Sequence, residues 1–298
     1  MQFRAEGVIA AMVTPMARGG VAVDLGRTRA VAQFLAEDGV HGLFVCGTTG
    51  EGPLLTVAER HAVLETVIDA VGERLTVIAQ TGALNTAETI ALTRHARDAG
   101  AHAAAVVTPS YFGYDDRALV VYFGSVAKAV PDFPVLLYNI PGCTGNALSV
   151  ALVLQLADRH ENIVGIKDSS GNMADMTRLI AEAPERFFVI SGSDLSMFAA
   201  LASGAHAVVS GPANVAAPVC RAIYDNVRKG RLDAAWEAQE TLARVVAGLD
   251  YGGKIAGYKE GLRLRGIDVG AVRPPQREFT AAEKRVLSEG LRSVGLVR

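Results

Sequence analysis

Short apolar runs alternate with longer stretches of helical periodicity along most of the chain. Eight of the runs read as strands, at 8–13, 42–45, 75–79, 103–107, 135–138, 163–167, 187–190 and 207–209. They are three to six residues long, rich in Val, Ile, Leu and Ala, and bounded by turn residues, as buried strands are. Patterns of period 3.6 lie between them, for example at 57–71, 86–99, 117–130 and 173–183. Most of the strands end in Gly, Pro, Ser, Thr or Asn, in the sequences VTP, CGTTG, AQTG, VTPS, YNIPG, KDSSG, SGSD and SGPAN. Such residues supply βα turns and helix N-caps.

Eight successive βα units predict a (β/α)8 barrel. Strands that are apolar at nearly every position suit a parallel sheet covered by helices. The rival, an open doubly wound sheet, lacks a G-x-G-x-x-G after its first strand. Beyond about Ala213 the pattern is helical only, at 215–228, 232–249, 255–264 and 280–291, with Arg273-Pro274-Pro275 as a stop before the last. The expected organisation is a barrel over 1–224 and a helical C-terminal extension over 225–298, packed together as one unit.

Composition narrows the class. Half of the 298 residues are hydrophobic, and the net charge is −2 with no long charge run. A sizeable core is expected, and neither nucleic acid nor a membrane surface is suggested as a partner. Cys46, Cys143 and Cys220 are odd in number and far apart, which argues against a disulfide framework and suits a reducing, cytoplasmic setting. The apolar N-terminal run is too short to cross a membrane and reads as the first strand.

In a barrel of this kind chemistry sits where the strands end. The run Ile163-Val164-Gly165-Ile166 leads into Lys167 and then Asp168-Ser169-Ser170-Gly171. An inward lysine there would lie in an apolar site, which lowers its pKa and frees the lone pair for attack on a ketone; the alternative is a side chain that reaches past the strand end into solvent. Gly47-Thr48-Thr49-Gly50-Glu51 after strand 2 could hold a carboxylate on two hydroxyls and free backbone N–H groups, or be a plain capped turn. Tyr138 closes strand 5 and could exchange a proton with a substrate beside Lys167. Tyr111 follows strand 4, where Tyr111 and Phe112 could instead pack in a loop or subunit contact. Ser191-Gly192-Ser193-Asp194 and Ser210-Gly211-Pro212 occupy the region that binds phosphate in many barrels, or cap helices. The six histidines, His41, His61, His95, His102, His160 and His206, form no metal-spaced pair and read as structural or exposed. Cys143 has no recognisable base, and Trp236 reads as core of the C-terminal helices.

Taken in register, GTTGE after strand 2, TPxY after strand 4, YNIPG after strand 5, GIKDSSG after strand 6 and SGSD after strand 7 resemble the dihydrodipicolinate synthase / N-acetylneuraminate lyase family over essentially the whole chain. The resemblance implies a (β/α)8 class I aldolase, usually a homotetramer built from tight dimers, that forms a Schiff base with pyruvate or another 2-oxo acid and needs no metal or cofactor. It implies that Lys167 is the Schiff-base lysine and Tyr138 the proton-transfer tyrosine. Thr48 and Thr49 would bind the carboxylate, with Thr48 linking Tyr138 to Tyr111, a tyrosine that reaches into the neighbouring subunit. Gly192 and Val209 would line the pyruvate pocket.

The chain departs from the pattern at Cys143, where dihydrodipicolinate synthases carry an arginine for the carboxylate of aspartate semialdehyde. A cysteine cannot form that bidentate pair, and loss of such a partner costs on the order of a few kcal/mol. The expected function is therefore cleavage or formation of a C–C bond between pyruvate and an aldehyde, of the 2-oxo-3-deoxy sugar acid type. The alternatives are a dihydrodipicolinate synthase, a 2-oxo-3-deoxy sugar acid dehydratase, and a catalytically silent 2-oxo acid binding barrel. A phosphate-binding isomerase fits less well, since strand 6 ends in lysine rather than a carboxylate base.

Overall fold

Eight parallel strands close into a barrel in strict chain order, each hydrogen-bonded to its sequence neighbours and β1 to β8. The computed structural model describes residues 3–251 and 253–297. The strands are β1 (Gly7–Ala11), β2 (Gly42–Val45), β3 (Thr76–Gln80), β4 (Ala103–Val107), β5 (Val135–Asn139), β6 (Ile163–Asp168), β7 (Phe188–Ser191) and β8 (Ala207–Ser210). The outer layer is α1 (Leu25–Glu37), α2 (Val57–Val71), α3 (Thr86–Asp98), α4 (Asp116–Ala129), the short α5 (Pro141–Thr144), α6 (Val150–Arg159), α7 (Met173–Glu182), α8 (Met197–Ala202) and α9 (Ala213–Arg228). Three further helices, α10 (Leu232–Leu249), α11 (Lys254–Leu264) and α12 (Ala281–Ser293), form the extension. α9 bends at Ala216, where the backbone is not helical, and continues past residue 224 to Arg228. None of the described helices is long and apolar enough to cross a membrane.

The expected strands all form, β2 and β4 with the expected ends and the others with shifted ones. β1 ends at Ala11: the Met12 N–H still donates to Phe44 O of β2, but the Val13 N–H turns away to the Asn214 side chain. β5 to β8 each run one residue further than the apolar pattern suggests, into Asn139, Asp168, Ser191 and Ser210. These polar ends stay in the ladder because they are satisfied sideways: Asn139 Nδ2 donates to Asp168 Oδ2 at 2.8 Å. Helix starts follow the caps in the sequence, with Asp24, Asn85, Asp115 and Ser149 accepting backbone N–H groups and Thr56 forming a capping box with Glu59. Trp236 does not join the core: it is half exposed and meets Phe198 edge-on.

Two apolar layers hold the barrel. One lies between strands and helices; the other fills the interior with Ile9, Ala11, Phe44, Ile78, Ala103, Ala105, Leu136, Tyr138, Ile190, Ala207 and Val209. Alternation along each strand sorts residues between them. β6 breaks the alternation. Ile163 pairs with Val135 but Gly165 pairs with Leu136, so Val164 and Gly165 together face one residue of β5. This bulge shifts the pleat by one residue. Ile163 and Ile166 both face the helices, and Lys167 comes to lie beside inward-facing Tyr138. Without the bulge, Lys167 would share the face of Ile163 and point into the helical layer.

Three histidines seal the opposite end of the barrel by one repeated device. His41, His102 and His206 precede β2, β4 and β8, and their backbone N–H groups donate to the carbonyls of Val8, Val77 and Val189. Their Nδ1 atoms accept the N–H groups of the same three residues at 2.9, 3.0 and 3.1 Å. Each ring thus extends the ladder through an accepting Nδ1. Burial lowers the pKa of His41 and of His206, with nearby Arg221 and Arg228 acting in the same direction. The folded chain therefore binds these protons less readily than the unfolded one. Their contribution is complete above the ordinary histidine value and is lost as pH falls through it towards the lowered folded values. We expect the urea midpoint to drop between about pH 7 and pH 5, in the range where histidine titrates, and the drop to shrink in a His41→Asn/His206→Asn variant. An unchanged slope in that variant would remove these histidines as its source.

Candidate active site

At the C-terminal end of the barrel, β6 presents Lys167, of which only 5% is exposed. Its Nζ lies 3.7 Å from the centroid of the Tyr138 ring and 4.7 Å from that of Phe44. The two rings meet edge-on at 5.5 Å. The amine is thus walled by π faces, which attract a cationic nitrogen. Tyr138 is 1% exposed, and its hydroxyl meets Thr48 Oγ1 at 3.3 Å. Four side chains from β2, its following turn, β5 and β6 are therefore in direct contact, and three of them were expected from sequence. Phe44 was not. The alternation in Gly42-Leu43-Phe44-Val45 sets it apart from its neighbours, but an aromatic inside a strand ordinarily signals only core.

The turn after β2 is tightly wound. Cys46 and Glu51 both adopt left-handed backbone, with φ 57° and 56°. A Cβ on Gly52 would sit 1.9 Å from Cys46 O, so only glycine fits where the turn folds back on itself. Thr48 and Thr49 sit half-buried on this turn. Thr48, Tyr111 and Cys143 line a common cavity of about 500 Å³ with Thr108, Ile140 and Thr144. Cys143 is exposed on α5. Tyr111 adopts φ 79°, is 88% exposed, and its ring meets that of Phe112 edge-on at 5.0 Å. Within one chain it does not reach Thr48.

Gly192 follows β7, the neighbour of β6, and Val209 lies in β8 beside Ile9 of β1. The Gly192 N–H donates to Asp168 O at 2.6 Å. A Cβ there would come 2.0 Å from Ser169 Oγ, so the β6 and β7 turns approach through this glycine. Val209 is buried in the interior layer. The β7 and β8 ends do not form a phosphate site: Asp194 occupies the space, accepting from Ser210 Oγ at 2.6 Å, while Ser210 Oγ caps α9 by accepting the Ala213 N–H at 3.2 Å. Burial pushes the Asp194 carboxyl up to about 6, the Ser210 hydrogen bond and the charges of Lys254 and Lys167 pulling against it. Among the described residues, no three His, Cys, Asp or Glu side chains cluster as metal ligands.

A closed (β/α)8 barrel with a lysine walled in at the strand ends, beside a phenol and a hydroxyl, has the architecture of a class I aldolase. The chain belongs to the dihydrodipicolinate synthetase family, whose profile matches residues 4–293. It is 39% identical over 292 residues to the 4-hydroxy-tetrahydrodipicolinate synthase of Symbiobacterium thermophilum, covering 97% of this chain and 98% of that one. Among solved structures it is similar to YagE of E. coli K12, a prophage protein of the dihydrodipicolinic acid synthase family in complex with pyruvate. The TM-score is 0.92 at 33% identity, over 98% of this chain and 99% of that one. It is also similar to CdNal of Clostridium difficile in complex with mannosamine, with TM-score 0.93 at 25% identity over 98% and 100%. The protein is accordingly a lyase of the aldolase type, and members of this family work through a lysine Schiff base with pyruvate rather than a metal.

The Thr48–Tyr138 contact sets a stability expectation. In Thr48→Val the buried phenol loses its partner, which costs about 1–2 kcal/mol. Chemical denaturation measures this; an unaltered midpoint would mean that the phenol hydroxyl does not depend on Thr48.

Proposed function

We propose that this chain cleaves or forms the C3–C4 bond of a 2-oxo acid of the 2-oxo-3-deoxy sugar acid type, with pyruvate as the covalently bound half. The observation that supports this most directly is the Lys167 nitrogen walled by Tyr138 and Phe44 inside the barrel mouth. The neutral amine adds to the C2 carbonyl. Tyr138 delivers the proton that lets the carbinolamine hydroxyl leave as water, giving an iminium whose positive nitrogen faces the two rings. The Tyr138 phenolate left by that step takes the proton of the C4 hydroxyl, and the C3–C4 electron pair flows into the iminium. An aldehyde leaves and an enamine remains. Protonation at C3 and hydrolysis release pyruvate and restore the lysine. Thr48 and Thr49 hold the substrate carboxylate from the β2 turn, and Gly192 and Val209 bound the pocket opposite. Positioned proton transfer of this kind is worth roughly 10²–10⁴-fold in rate.

The choice of aldehyde rests on Cys143. It lines the cavity with hydroxyl-bearing neighbours and supplies no fixed charge for a second carboxylate. A second reading, 4-hydroxy-tetrahydrodipicolinate synthesis, is favoured by the activity named for the Symbiobacterium relative. A dehydratase on the same Schiff base would leave the carbon chain unbroken. The cavity also supports assembly. Tyr111, Phe112 and Leu84 are 88%, 65% and 64% exposed around it, an apolar edge that suits burial against a second copy in a dimer of dimers. Three unpaired cysteines suit a cytoplasmic setting.

Borohydride reduction in the presence of pyruvate should add a pyruvyl mass to the peptide bearing Lys167, and a screen of 2-oxo-3-deoxy acids, sialic acid and aspartate semialdehyde should give pyruvate release from the sugar acids. An unlabelled Lys167 would end the Schiff-base reading, and pyruvate consumption with aspartate semialdehyde alone would favour the synthase. Cys143→Arg should raise condensation with aspartate semialdehyde by about tenfold or more, the worth of one charge-assisted contact. For assembly, Tyr111→Ala should lower both the sedimenting mass and turnover; a monomeric parent that is fully active would refute a shared site.

A further inference from the structure

A buried ion pair far along the chain ends on the turn that bears Thr48. Lys259, in α11, and Glu51, in the turn after β2, have side chains that are 0% exposed. Lys259 Nζ donates to Glu51 Oε1 at 2.5 Å and to Ala271 O at 2.7 Å. Glu51 Oε2 accepts the Arg273 N–H at 2.7 Å. Both carboxylate oxygens are thus bound by the extension, across more than 200 residues of sequence. The turn is fixed elsewhere too. The Thr14 hydroxyl donates to Gly50 O at 2.6 Å, and the Arg273 guanidinium donates to Leu54 O at 3.0 Å and grips Glu59 at 2.7 Å with each of two nitrogens. The Glu51 N–H itself donates to Thr48 O at 3.1 Å. A displacement of Glu51 therefore moves Thr48, and through Oγ1 it moves Tyr138.

Isolated burial of two charges is costly, and apolar replacement of such a pair is often neutral or stabilising. Stability alone is therefore a weak reason for this pair. Its directional bonds, by contrast, define the left-handed conformation of Glu51 that brings the turn back on itself.

We propose that Lys259 and Glu51 are positioning residues for the 2-oxo acid site: the pair sets the geometry of Thr48 and Thr49, so that the helical extension is a working part of the active site. This rests on the Schiff-base reading above and adds a role for residues remote from Lys167.

The test compares Lys259→Met, Glu51→Gln and the double variant Glu51→Gln/Lys259→Met with the parent, by melting temperature, by KM and kcat for pyruvate release, and by the rate of borohydride trapping with pyruvate. Each single variant strands a buried partner and should melt lower. The double variant removes both charges and should regain most of the melting temperature. Its KM for the 2-oxo acid should stay raised, about tenfold or more for the loss of one or two positioned hydrogen bonds, with kcat altered less. A double variant with recovered melting temperature and parental KM would overturn the proposal. Glu51→Asp keeps the buried charges but is one methylene too short to hold both Lys259 Nζ and the Arg273 N–H with the turn in its present place, so it decides the matter if the other variants do not fold: a raised KM in it supports the proposal, and a parental KM refutes it. Failure of the underlying reading is told apart by the parent, in which trapping on Lys167 would then not occur at all.

Discussion

The whole arrangement depends on one amine being turned into an apolar ring. Lys167 is almost fully buried between the faces of Tyr138 and Phe44. A primary amine placed there loses most of its hydration, and the faces of the two rings compensate for part of that loss. Few residues in the barrel mouth would be less favourable for stability alone. The closed sheet makes the placement tolerable, because eight paired strands leave no edge through which the site could relax.

The bulge in β6 is what aims the lysine. Alternation runs cleanly along the other strands, and a simple strand through Ile163 would send Lys167 into the helical layer, where Leu, Val and Ile side chains fill the space. Opposing Val164 and Gly165 to a single residue of β5 reverses the pleat before Lys167 is reached. Gly165 suits this, because a Cβ there would meet Phe188 O at 2.5 Å and Leu136 at 2.9 Å. A backbone irregularity in the strand thus precedes the chemistry by two residues, a common place for bulges.

Around that centre the supports differ in kind. On the β2 side the turn is fixed by buried charge and by glycines that admit close backbone approach. On the β6 and β7 side, Asn139, Asp168 and Gly192 knit the strand ends together with short hydrogen bonds. At the opposite end, three histidines take the place of ladder groups that no strand reaches. The barrel is therefore held by backbone satisfaction at both ends and by apolar packing between them.

Local pattern determined the fold. Apolar runs bounded by turn residues gave all eight strands to within a few residues, and helices α2 and α10 to the residue, because a strand buried on both faces and a capped amphipathic helix each write their period into the chain. Lys167, Tyr138 and Thr48 could be picked out as candidates from their places at or just after strand ends, but only the tertiary structure brings Tyr138 into contact with both of the others. Other features were decided only by tertiary structure. Lys259 gave no signal, because a lysine in a surface-period helix is ordinarily solvated and becomes a buried cation only when Glu51 arrives from the other end of the chain. Trp236 looked like core and is half exposed, since hydrophobicity does not say which face of a late helix finds a partner. The inward direction of Lys167 depended on a register shift against β5, and register belongs to pairs of strands rather than to any one of them.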